Sequence, residues 1–129
     1  MYICLLFHLL FSFAFAEVKR LAVLEFRGIG VEQGVLLKLS DQSRVAASNL
    51  LPEDEYKVMT RESMKMILGD MGKDISCLEG QCEIEIARSI NADYVITGDV
   101  LKIEGEYLLT LKLHESLTGS MLRGEDIKS

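Results

Sequence analysis

CLEGQCEIEIARSINADYVITG, residues 77–98, changes character twice. Cys77 and Cys82 close a short loop that contains Gly80. Ile84, Ile86, Ala87 and Ile90 then follow at helical spacing, which predicts a short helix leading out of the loop. Asn91, Ala92 and Asp93 end that helix, and Tyr94, Val95 and Ile96 begin a β-rich run. Before this stretch the chain reads as alternating strand and helix; after it, as antiparallel hairpins.

Downstream, Leu101 and Ile103 alternate with Lys102 and Glu104 up to a turn at Glu104, Gly105 and Glu106. Tyr107, Leu109, Leu111 and Leu113 then form one face of the next strand, with Thr110, Lys112 and His114 on the other. Ser116 to Gly119 is a second turn, and Met121, Leu122 and Arg123 start a last strand.

Upstream, Val18 to Phe26 is nearly continuously apolar from Leu21 onward, as suits a strand covered on both faces, and it is expected to be central. Residues 27–30 break it. From about Val31 a long first helix carries Leu36, Leu39, Ala46, Ala47 and Leu50 on its apolar side and Lys38, Asp41, Gln42 and Arg44 on the other, ending before Pro52. Tyr56 to Met59 is a brief strand. Thr60 is placed to cap a second helix with Glu62 in its first turn, and Met64, Ile67, Leu68 and Met71 give it one apolar stripe that stops at Gly72. The order β-α-β-α-α-β-β-β predicts an α/β (α+β) domain: a mixed sheet, parallel early and antiparallel late, with helices packed on it.

Residues 1–16 are expected to lie outside that domain. The run is almost wholly apolar, ends in Ala14, Phe15 and Ala16, and meets Glu17, Lys19 and Arg20 at once, which is the pattern of a signal peptide cleaved between Ala16 and Glu17. The apolar run is shorter than the roughly 20 residues a spanning helix needs. A lipoprotein signal would place a cysteine at the cleavage point, and Cys4 is far too early. His8 is the only basic side chain before Glu17, so the basic opening of a signal points to a start upstream. Every Asp, Glu, Lys and Arg lies after position 16, so residues 17–129 carry the whole net charge of −6. Such a chain lacks the concentrated basic surface that nucleic-acid binding requires. One domain, 17–129, is expected, without repeats or linkers.

Cys77 and Cys82 are the only two cysteines left after cleavage, in a compartment that permits oxidation, and the intervening loop can bend to join them. A disulfide is therefore expected. Redox pairs are more often Cys-x-x-Cys, and neither His8 nor His114 is placed to complete a metal site. Gly28, Gly30 and Gly34 follow a strand and precede a helix, but their spacing is one residue longer than the dinucleotide fingerprint and no Walker lysine follows. Glu83 and Glu85 lie two apart on a helix and do not face each other. No serine stands in a nucleophile elbow, and Met59, Met64, Met66 and Met71 read as core filler and helix stripe. No catalytic residue, metal or cofactor is expected.

The opening strand Leu21–Phe26, the stretch Tyr56–Glu62, the run Cys82–Gly98 and the closing hairpin Tyr107–Leu113 with Leu117–Gly119 together resemble the amino-terminal-domain-like family of TolB and CsgG, exported α/β modules of bacterial envelope proteins. The likeness spans essentially all of residues 17–129. It implies a non-enzymatic module, periplasmic or outer-membrane-associated, that docks to other cell-envelope proteins. Because that family usually continues into another helix and strand, truncation at the carboxyl end is expected. A second reading is an amino-terminal accessory domain of a longer exported enzyme, or a secretion-pore component, although the chain lacks the lipoprotein cysteine and membrane-inserting hairpins of a CsgG-type pore.

Overall fold

Residues 17–72 and 82–129 are described by the computed structural model. Along them run β1 (Lys19–Val23), β2 (Arg27–Ile29), α1 (Gln33–Leu50), β3 (Tyr56–Val58), α2 (Arg61–Asp70), α3 (Cys82–Ser89), β4 (Tyr94–Ile103), β5 (Glu106–Glu115) and β6 (Met121–Lys128). The strands form one mixed sheet in the order β3-β1-β4-β5-β6, with β2 also beside β4. β1 is parallel to β3 and β4, β2 is parallel to β4, and β4, β5 and β6 are antiparallel. The expected α+β class and the change from parallel to antiparallel pairing are both present.

Two strand-level expectations change. The apolar run is not one strand to Phe26, because β1 stops at Val23, and residues 27–29 are not a plain break. They form β2, whose Arg27, Gly28 and Ile29 pair with Asp99, Val100 and Leu101, further along the β4 edge that β1 uses first. Gly28 permits the close approach: a Cβ there would sit 2.8 Å from Leu36 Cδ2 and 3.2 Å from the Val100 carbonyl oxygen. β1 is interior, but the strand on which both halves of the sheet meet is β4.

Side-chain alternation divides the core between the two faces. Ala22, Leu24 and Val95 point one way, into a cluster with Met59, Met64, Leu68, Ile86, Ala87, Ile90 and Ala92 under α2 and α3. Val23 and Val100 point the other way, to Phe26 and to Leu36 of α1, joined by Leu39, Ile96, Leu109 and Leu111. Complete burial of Met64 and Leu68 removes each from water at a gain of about 1.5–3 kcal/mol. Helix α2 starts where the Thr60 hydroxyl accepts the Ser63 N–H at 3.1 Å, and the chain leaves it through Gly72 at φ 69°. The expected Met64, Ile67, Leu68 stripe faces the core, while Met71 lies past its last turn and is 51% exposed.

Beyond β4 the sheet continues as a hairpin wing. Glu104 and Gly105, at φ 51° and 81°, form the two-residue turn whose twist matches its flanking strands. β5 is half-buried along most of its length and β6 is exposed at every residue.

Candidate interaction surface

Two of the sequence-derived site residues, Ala16 and Cys77, lie outside the described residues. Glu17 is exposed in irregular chain ahead of β1, and Cys82 opens α3, half-buried against the α2–α3 core. Gly34 sits in α1 with nothing within 4 Å of where a Cβ would be, so it makes no cradle. His114 lies on β5 opposite Val95, with a buried Nδ1 that has no hydrogen-bond partner among the described residues. Glu83 and Glu85 part company as expected: Glu85 is exposed, while Glu83 is buried and takes Arg27 Nη2 at 2.7 Å. Arg27 also reaches Asp99 at 3.2 Å, so β2 is tied to both α3 and β4. Among the described residues, no three His, Cys, Asp or Glu side chains are grouped to hold a metal ion. No helix among them is long and apolar enough to cross a membrane.

A charge network that was not foreseen stands at the carboxyl end of β1. Arg44, expected on the solvent side of α1, is 7% exposed. Its Nε and Nη2 donate to the Val23 carbonyl at 3.0 and 2.7 Å, and its other contacts are Glu25 at 3.2 Å and Asp41 at 2.8 Å. Arg61 grips Glu25 through both carboxylate oxygens, at 2.6 and 3.1 Å, and Asp41 at 3.0 Å. The hydrogen bonding that Arg61 donates to the Glu25 carboxylate is the main cause that holds the Arg61 pKa above its usual value. Two arginines and two carboxylates thus neutralise one another where β1, α1 and α2 meet. The signal was present in the spacing, since Leu36, Ser40 and Arg44 recur every fourth residue on one helical stripe. Arginine was placed by its charge, and the stripe overrode it.

Among the described residues, β6 is the strand exposed along its whole length. Met121, Leu122 and Ile127 on β6, with Tyr107 on β5 and Ile103 at the end of β4, are 38–57% exposed. Arg123, Glu125, Asp126 and Lys128 stand among them on the outermost strand. Lys102 Nζ lies 5.4 Å from the Tyr107 ring centroid, adding a cationic group to this surface. Mixed apolar and charged side chains on an uncovered sheet extension are suited to binding a protein partner.

These features describe a mixed α+β domain with helices on both faces of its parallel half and an antiparallel half whose last strand, β6, is exposed throughout. It is similar to the LpoB C-terminal domain from Salmonella enterica, at 18% identity over 98% of this chain and 93% of that chain, with a TM-score of 0.66. It is also similar to lipoprotein GNA1162 from Neisseria meningitidis, at 12% identity over 85% of this chain and 78% of that one, TM-score 0.65. TolB from Acinetobacter baumannii shares 10% identity over 86% of this chain and 23% of its own, TM-score 0.50. The expected TolB-like fold is thereby supported at the level of architecture. No family model and no curated protein matches the sequence.

Proposed function

We propose that this chain is a non-catalytic exported envelope protein, periplasmic or outer-membrane-associated, that docks to other envelope proteins through its β5–β6 wing. The observation that carries this reading is the wing itself, a strand exposed at every residue beside a half-buried one. In contrast, the buried charges at the end of β1 are spent on one another. The leader, with cleavage between Ala16 and Glu17, supports export, and likeness to a protein named as a lipoprotein supports an envelope setting. The Cys77–Cys82 disulfide belongs to the same reading, because it needs an oxidising compartment.

The test is crosslinking in the envelope with chains carrying a photoreactive residue in place of Lys112 on the wing or of Lys65 on α2. The wing position should yield a reproducible envelope protein that the α2 position does not. Labelling that is equal at both positions, or absent from the wing, refutes the proposal.

A further inference from the structure

The outer edge of β6, unpaired among the described residues, is complementary to itself. Ser129 N donates to the Tyr107 carbonyl at 3.0 Å, and pairing continues inward through Leu109 with Ile127, Leu111 with Glu125 and Leu113 with Arg123. Bonded pairs in an antiparallel ladder recur at every second residue. Residues 123, 125 and 127 therefore direct their backbone groups to β5, and Gly124, Asp126 and Lys128 direct theirs to the open edge.

We infer that this edge pairs antiparallel with β6 of a second copy of the chain, about a twofold axis at Gly124. In that register Arg123 stands opposite Glu125 of the second copy, and Glu125 opposite its Arg123. Both occupy close, non-hydrogen-bonded positions, where opposite charges stabilise and like charges repel. Moving the axis by one residue sets Arg123 against Arg123 or Glu125 against Glu125, and moving it to Asp126 sets Asp126 against itself. Of these four neighbouring registers only the one at Gly124 joins opposite charges, and it does so twice; an axis at Ile127 would set Asp126 against Lys128, but Asp126 already accepts the Thr110 hydroxyl at 2.8 Å within the chain.

Gly124 is the second observation. A glycine inside a strand weakens it and often marks a place where another backbone comes close. Among the described residues nothing requires this one: its Cβ would meet only the Leu111 carbonyl oxygen and Met121 Sδ, both at 3.9 Å. Its place on the symmetry axis supplies the reason. Arg123 and Glu125 already point the same way, in contact at 2.8 Å with side chains 74% and 54% exposed, so both are available to a second copy.

One strand edge makes a small interface, so the dimer is weak and concentration-dependent. Added salt loosens it, because its charge pairs are exposed. The inference rests on the strand geometry and charge pattern of β6, independently of the docking proposal. Dimerisation without capture of an envelope protein, or capture by a monomer, separates it from the docking proposal above.

Sedimentation of residues 17–129 across a concentration series tests it. The wild type should dimerise, and Arg123→Glu or Glu125→Arg alone should each weaken the dimer by about tenfold or more through like-charge contacts. An equimolar mixture of the two variants should recover association, because each then meets its opposite. Circular dichroism shows that each variant is folded before mixing. A wild type that stays monomeric, single variants that dimerise normally, or a mixture that does not associate each overturn the inference.

Discussion

Replacing Glu25 with Gln withdraws the carboxylate on which two largely buried arginines converge. The Glu25 side chain is 13% exposed and accepts from Arg61 at 2.6 and 3.1 Å and from Arg44 at 3.2 Å. Removing one partner of a buried ion pair costs about 3–5 kcal/mol, because the other charge is left uncompensated. Here Asp41 still holds Arg44 at 2.8 Å and Arg61 at 3.0 Å, and the Val23 and Leu37 carbonyls keep their bonds to the same guanidiniums. Roughly half of the loss should therefore be avoided, leaving about 2 kcal/mol. With a urea dependence of about 1–3 kcal/mol per molar, the unfolding midpoint should fall by ~1 M. Arg61 adds no pH dependence near neutrality. A raised folded pKa gives stability that is complete below the unfolded value and lost only as pH climbs through the folded one, and both lie far into the alkaline range. Asp41→Asn alone should cost less, and the double variant more than the sum, since no carboxylate then remains in the network. A change below about 0.5 kcal/mol for Glu25→Gln, the value of an exposed pair, would refute the reasoning.

Four further substitutions have defined outcomes. Gly98→Ala should lower stability by about 1–3 kcal/mol in thermal unfolding, because the new Cβ would fall 2.6–2.8 Å from buried Phe26 ring atoms. Gly34→Ala, in open space on α1, should instead raise stability by about 0.5–1 kcal/mol. Thr97→Val should be neutral or stabilising by about 1 kcal/mol in urea titration, since Thr97 Oγ1 is buried with no hydrogen-bond partner among the described residues. If Cys77 and Cys82 are joined, Cys82→Ala should cost roughly 2 kcal/mol without unfolding the domain. Mass spectrometry of the exported protein that finds both thiols free would dismiss the pairing.

Periodic features translated well from sequence to structure. The stripe on α2, its Thr60 cap and the turn through Glu104 and Gly105 are each set by a few neighbouring residues, and each appears where the pattern places it. What was hidden depends on partners distant in sequence. β2 is a strand because Asp99 to Leu101 offer it an unused edge, which no local pattern in Arg27, Gly28 and Ile29 reveals. Arg44 is buried because Val23, Glu25 and Asp41 together satisfy a charge that would otherwise have to remain in water. Surfaces such as the wing are harder still, since what leaves β6 exposed is that the helices pack elsewhere.

The interruption between β1 and β2 makes helix α1 a surrogate for a strand. Where the ladder lapses, the Ser40 hydroxyl accepts the Phe26 amide at 2.8 Å and donates to the Leu36 carbonyl, while Arg44 four residues on donates to the Val23 carbonyl. A helix held only by apolar contact can slip along a sheet at little cost, but this one is keyed at two points one turn apart. Sliding it by a turn would strand an amide and a carbonyl in the interior at once. The gap in the sheet is thus a registration key that fixes the helix against the sheet.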